Sequence, residues 1–175
     1  MSGIFTIPIT GLKEGRHLYD FEVDKDFFAD FEESEINDGR LKVNAVLVKR
    51  SAHMELELLV SGEALIICDR CLEEYWEEIE STQKLLVKFG EDWEEVDDEV
   101  LTIPHGESRL DLSQFIYEFA HLALPMQRFH PESESGESTC NPVMLERLEE
   151  HTTEKEDNID PRWKELGKLK DGLKN

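Results

Sequence analysis

The chain is short of bases. Its 19 Lys and Arg face 41 Asp and Glu, a formal net charge of −22 at pH 7. A surface that negative repels phosphate backbones and disfavours gripping bare nucleic acid through a basic face. It favours basic partners, although acid alone also serves to keep a chain soluble. The sequence also lacks any apolar run near the roughly 20 residues that span a bilayer. Its first ten residues, M-S-G-I-F-T-I-P-I-T, have no basic stretch followed by an apolar one, so no signal peptide and no membrane contact are expected. Cysteine is scarce. Three residues, Cys68, Cys71 and Cys140, are too few and too odd in number for a secreted disulfide framework. These absences together give the expectation of a cytoplasmic, reduced protein.

Catalytic signatures are missing too. There is no G-x-x-x-x-G-K-[ST], no G-x-G-x-x-G and no G-x-S-x-G. His17, His53, His105, His121 and His151 are scattered outside any nucleophile or metal-hydrolase motif. Acidic pairs are so common that none stands out as an acid–base couple.

What is present reads as an α+β protein. Hydrophobic residues make up 39 %, enough for a core in a domain of this length. Period-2 alternation marks half-buried strands. Leu41, Val43, Ala45 and Leu47 share one face, and so do Met54, Leu56, Leu58 and Val60. The polar connector from Lys49 to Ala52 makes these two runs a hairpin. Gly62 suggests a bulge or bend before Ala64–Ile67. Glu78 to Phe89 is a further strand, with Ile79, Leu85, Val87 and Phe89 on one face. Phe5–Ile9 and His17–Val23 are shorter strands, and Phe27, Phe28 and Phe31 suggest a helical turn or two. Residues 91 to 99 hold seven acids and no base, which reads as a solvated loop or a dock for a basic segment. A helix follows, with Asp111 as N-cap and Gln114 completing a capping box. Leu112, Phe115, Ile116, Phe119, Leu122 and Ala123 form its apolar stripe, and Pro125 stops it. Residues 131 to 139 read as loop, and Met144–Glu150 as a short helix. The expected architecture is a single domain over residues 1–151, an antiparallel sheet with one main packed helix and short C-terminal helices. Residues 152–175 are expected to be a flexible linker and a basic tail, with five bases against two acids in 161–175.

The cysteines admit three readings. A C-x-x-C turn places two thiolates on one zinc ion when other ligands arrive from elsewhere. Cys140 is the third sulfur and His130, ten positions earlier, the best fourth donor. The set Cys68, Cys71, His130 and Cys140 would staple the loop after the helix to the end of a strand. Alternatively the pair is a redox couple, or simply reduced thiols with His130 a surface residue. Redox chemistry is disfavoured because the pair precedes Glu73, Glu74, Glu77 and Glu78, which raise a thiol's pKa.

Beyond this, C-D-R-C-L from Cys68, L-A-L-P over Leu122–Pro125, then His130, Cys140 and D-P-R-W over Asp160–Trp163 occur in an order that resembles the YceD family, also called DUF177. The likeness covers most of the chain and is nearest to versions from Bacteroidetes-type bacteria. It implies a link to accumulation of large-subunit ribosomal RNA, and no catalytic activity. It also implies that the early Cys pair and the later Cys form one cluster. Some members carry further C-x-x-C pairs after A-L-P; only Cys140 stands there in this chain, so His130 must complete the shell.

Arg70, Asp160, Pro161, Arg162 and Trp163 match family motifs and suit a partner interface, Arg162 and Trp163 as anchors. Trp163 packed back on the sheet is the competing reading. Three functions follow as expectations. The first is a non-enzymatic factor for large-subunit assembly, with a structural zinc clip. It would bind a basic ribosomal protein or a pre-ribosomal particle, and its basic tail would touch rRNA locally. The second is a thiol- or metal-dependent enzyme using the C-x-x-C pair. The third is an interaction module with no ribosome link.

Overall fold

The computed structural model describes residues 4–97, 99–133 and 135–152; Asp160, Pro161, Arg162, Trp163 and the basic tail lie outside the described residues. In chain order the elements are β1 (Thr6–Pro8), β2 (Gly15–Val23), α1 (Lys25–Ala29), β3 (Asp38–Lys49), β4 (His53–Ile67), β5 (Glu74–Gly90), β6 (Glu94–Asp97), β7 (Val100–Pro104), β8 (Arg109–Asp111), α2 (Ser113–Leu122) and α3 (Pro142–His151).

Alternation of apolar and polar residues builds the frame. Strands β2, β3, β4 and β5 form an antiparallel meander, continued by β7 and then β6 in one six-stranded sheet. Val43, Ala45 and Leu47 of β3, Leu56, Leu58 and Val60 of β4, and Val87 of β5 are all buried on one face. Each such Val or Leu contributes about 1.5–3 kcal/mol relative to staying exposed. The opposite face is wet. There Glu57 meets its register partner Lys84 at 3.2 Å, and Arg40 lies 4.2 Å above the ring of Trp76. Helix α2 covers β4 and β5, burying Phe115, Ile116, Phe119 and Ala120, while α1 packs on β3. Strands β1 and β8 pair separately, with Ile7 opposite Leu110, both fully buried.

The α+β class and the dominant antiparallel sheet are as expected, and five details differ. The acidic stretch 91–99 is not all loop: β6 pairs antiparallel with β7. One side of its backbone pairs with β7 while all four side chains stay exposed, so charge here guards an edge strand. Strand β7 joins β5 in parallel, which makes the sheet mixed. Register runs unbroken through Gly62, opposite Leu41 on one side and Ile79 on the other, so there is no bulge. Gly62 has φ +141°, and a Cβ there would collide with the Arg40 carbonyl oxygen; the glycine permits close approach of two strands. The capping box does not form, and the N-cap of α2 falls on Leu112 rather than Asp111, because the helix starts one residue later at Ser113. Asp111 Oδ1 accepts from the Ser113 N–H at 2.9 Å, while the Gln114 amide donates to Glu118 instead. Leu122 is exposed rather than on the packed stripe; the chain leaves the helix at Ala123 and buries Leu124 instead.

The chain divides into two compact units after Cys140. In the second, α3 has Asn141 as N-cap, its Oδ1 accepting from Val143 N–H at 3.0 Å, and buries none of its residues.

Candidate metal centre

The site begins where β4 ends. Cys68 follows Ile67, the last residue of β4, and residues 68–73 form the turn into β5. The Cys68 N–H donates to the Glu73 carbonyl at 2.9 Å, and the Leu72 N–H to the Cys68 carbonyl at 3.0 Å. This tight turn forces Leu72 to φ +61°, the left-handed region that a branched side chain rarely occupies. In return, both thiols face one side and are buried.

The second half comes from the segment after α2. The Asp69 N–H donates to the Arg128 carbonyl at 2.7 Å, and the Arg128 N–H returns a bond to Asp69 Oδ2 at 2.9 Å. The Arg128 guanidinium reaches on to Glu35 at 2.7 Å. Arg70 lies 3.9 Å over the Phe129 ring. These contacts carry His130 into the site, where its ring lies 4.8 Å from that of Tyr75. The Tyr75 hydroxyl is buried and has no hydrogen-bond partner among the described residues; burial, then the nearby Glu77 carboxylate, push its pKa up.

Four donor atoms converge. Cys68 Sγ lies 3.7 Å from Cys140 Sγ, Cys71 Sγ 3.4 Å from His130 Nδ1, and Cys140 Sγ 3.7 Å from the same nitrogen. All four donors lie within 4.8 Å of one another. A tetrahedral zinc with Zn–S near 2.3 Å and Zn–N near 2.05 Å requires S···S edges of about 3.8 Å and S···N edges of about 3.6 Å. These three separations fit those edges. A disulfide would require sulfurs about 2.05 Å apart, and all three cysteines are free.

The electrostatics suit a cation. Burial works against ionising Cys68, but the backbone N–H groups of Cys71 and Arg70, and then His130, overcome it and bring its pKa to about 6. Burial pushes the Cys140 thiol up; Ser138 opposes the shift, and the neighbouring sulfurs of Cys68 and Cys71 add to it. One thiolate is favoured and the next resisted, and a divalent ion removes that resistance. The set Cys68, Cys71, His130 and Cys140 can hold a metal ion through four protein ligands. Arg70 is exposed at the turn beside it. Sequence reasoning did not single out Asp69, Arg128, Phe129 or Tyr75, which position the ligands. Their only signal was position, next to the cysteines or to His130.

The chain was compared with known proteins. No curated protein matches it, and no solved structure does. One family model, described as large ribosomal RNA subunit accumulation protein YceD, matches residues 56–170. The match runs from within β4 to beyond the described residues and includes all four donors of the metal centre. It covers well over half of the chain, and the protein belongs to the YceD family.

Proposed function

We propose that this protein supports accumulation of the large-subunit ribosomal RNA as a non-enzymatic assembly factor, held in shape by a structural zinc ion on Cys68, Cys71, His130 and Cys140. The family supports the ribosomal setting. The observation that carries the structural role of the metal is the count of ligands: four protein donors within 4.8 Å of one another are enough to fill a tetrahedral zinc and leave no open position for water or substrate. When bound, zinc cross-links the β4–β5 turn to the segment after α2. The thiol-enzyme reading is less well supported, because all three sulfurs are buried and converge with an imidazole.

The partner in this reading is a basic ribosomal protein or a large-subunit precursor, attracted by the net charge of −22. Arg70, together with Asp160, Pro161, Arg162 and Trp163, forms part of the interface, and the basic tail contacts rRNA locally. Three measurements test the proposal. Metal analysis of untagged protein yields one zinc per chain. Depletion lowers the ratio of large to small subunits. The protein co-sediments with large-subunit precursors at low salt and leaves them at high salt. An unchanged subunit ratio on depletion removes the ribosomal role. A Cys71→Ser variant that keeps its fold and zinc removes the structural metal.

A further inference from the structure

Several grooves of the first unit carry acids, and two carry the most. The larger, about 710 Å³, runs between α2 and the β5–β7 strip, and mixes Glu95, Asp97, Glu99 and Glu118 with Lys84. The smaller, about 470 Å³, lies where the segment before β1, the end of β2, α1, the end of β8 and the start of α2 meet. Its rim carries Glu22, Asp24, Asp26, Asp30 and Asp111, and among the described residues its lining holds no lysine or arginine. Lys25, the nearest base in sequence, is outside that lining. The groove's apolar lining is Ile4, Phe5, Phe27 and Phe31; Phe5 and Phe27 are buried, and the half-buried Phe31 is the ring a ligand can reach.

We propose that this smaller groove binds an arginine-rich extended segment of a protein partner. The inference rests on the reading of a basic partner given above, and places its grip away from the acidic edge strand β6. Charge decides the occupant: Glu22, Asp24, Asp26 and Asp111, with no lysine or arginine among the described lining residues, select a cation. The apolar lining decides which cation. A guanidinium is planar and weakly hydrated, so it stacks on aromatic faces while pairing bidentately with carboxylates at the rim; an ammonium is a hydrated point charge.

The groove is also built in advance. Phe5 and Phe27 meet edge to face at 4.8 Å, Phe27 and Phe31 lie tilted to each other at 5.3 Å, and Phe31 stacks on Tyr117 at 4.0 Å. Asp24 is fixed by accepting from the Asp26 N–H at 3.1 Å, and Asp111 by accepting from the Ser113 N–H and hydroxyl. Groups held this way lose little freedom when a ligand arrives.

The test uses the full chain and a fluorescein-labelled twelve-residue peptide of alternating arginine and serine, with its lysine and citrulline counterparts. Fluorescence anisotropy in 50 mM salt reads affinity. The arginine peptide binds most tightly and the citrulline peptide does not bind. Glu22→Gln with Asp26→Asn weakens the arginine peptide about tenfold, whereas Glu94→Gln with Glu95→Gln, the same charge removed from β6, weakens it less than twofold. Phe31→Leu abolishes the preference for arginine over lysine. Absence of binding by the parent, equal losses in the two double variants, or a preference that survives Phe31→Leu each overturn the groove. Co-sedimentation of the same proteins with large-subunit precursors separates the two ideas. A groove variant that co-sediments like the parent defeats the groove and leaves the ribosomal role standing. A parent that binds arginine peptide but no precursor does the reverse.

Discussion

The β3–β4–β5 meander and the segment from Pro125 to Cys140 belong to one unit and are held by different physics. The meander buries a dense apolar face and pairs nearly every backbone group along registers of 12 and 15 residues. Among the described residues of 125–140, only Cys140 is buried. Regular pairing there amounts to one bridge, Glu132 with Ser138. A segment with so little apolar burial cannot offset the ordering entropy of its backbone, about 1–2 kcal/mol per residue. It is placed instead by the Asp69–Arg128 latch, the Arg70–Phe129 stack and the four donors. The lesson is that a chain can fix an irregular segment by side-chain chemistry at a few points when the hydrophobic effect has nothing to act on.

The comparison breaks most visibly if the donors are removed. Structural zinc supplies on the order of 10 kcal/mol to small zinc domains near neutral pH. Cys140→Ser, or chelation of the parent, is expected to abolish bound zinc. Amide exchange in 125–140 then speeds up more than tenfold, while Val43–Val60 stays protected. Uniform exchange across both regions would show that they are one cooperative block.

The converse variant attacks the meander. Leu58 is fully buried in β4, and Leu58→Ala is expected to lower global stability by about 2–5 kcal/mol. Denaturant titration with zinc present reads this loss. A change confined to the 125–140 segment would contradict the assignment of Leu58 to the shared core.

A smaller effect sharpens the view of the turn. Leu72 is exposed and sits at φ +61°. Leu72→Gly relieves a left-handed conformation and is expected to raise stability by about 1 kcal/mol, read as a higher melting temperature. A loss of stability would show that the exposed leucine makes contacts that outweigh the strain.

The smallest effect is electrostatic. The hydrogen bond from Arg128 holds the Glu35 carboxyl below its ordinary value of 4.5. A depressed carboxylate contributes stability above the unfolded value, and that stability is lost as pH falls through the lower folded value. The pair is partly solvated, so Glu35→Gln is expected to cost less than about 1 kcal/mol at pH 7, and less again at a pH well below 4.5. An equal cost at both pH values would mean that packing, not charge, is lost.

The same division explains what was legible in the sequence. β3 and β4 could be read because a buried face leaves a period of two, and Leu41 through Val60 keep that period. The start of β5 was hidden because Glu74, Trp76 and Glu77 carry no alternation of charge with oil. β6 was read as loop because four exposed side chains look the same on an edge strand as on a loop. The parallel pairing of β7 was invisible, since V-L-T-I-P states burial but not the direction of a neighbour. The donors were legible as residue types at suggestive spacing. Their convergence depends on the Asp69–Arg128 bonds and the Arg70–Phe129 stack, contacts between residues about 59 positions apart that no local pattern encodes.

The distance along the chain between the two halves of the candidate metal centre has a consequence for synthesis. Cys140 follows Cys71 by 69 residues. At ~5–20 residues per second, the early pair leaves the ribosome roughly 3–14 s before its last partner. For that interval the nascent polypeptide presents an incomplete chelate on a hairpin that is already able to form. A translational pause placed downstream of Cys71 would prolong exactly the window in which those two sulfurs are open to oxidants and to the wrong ion.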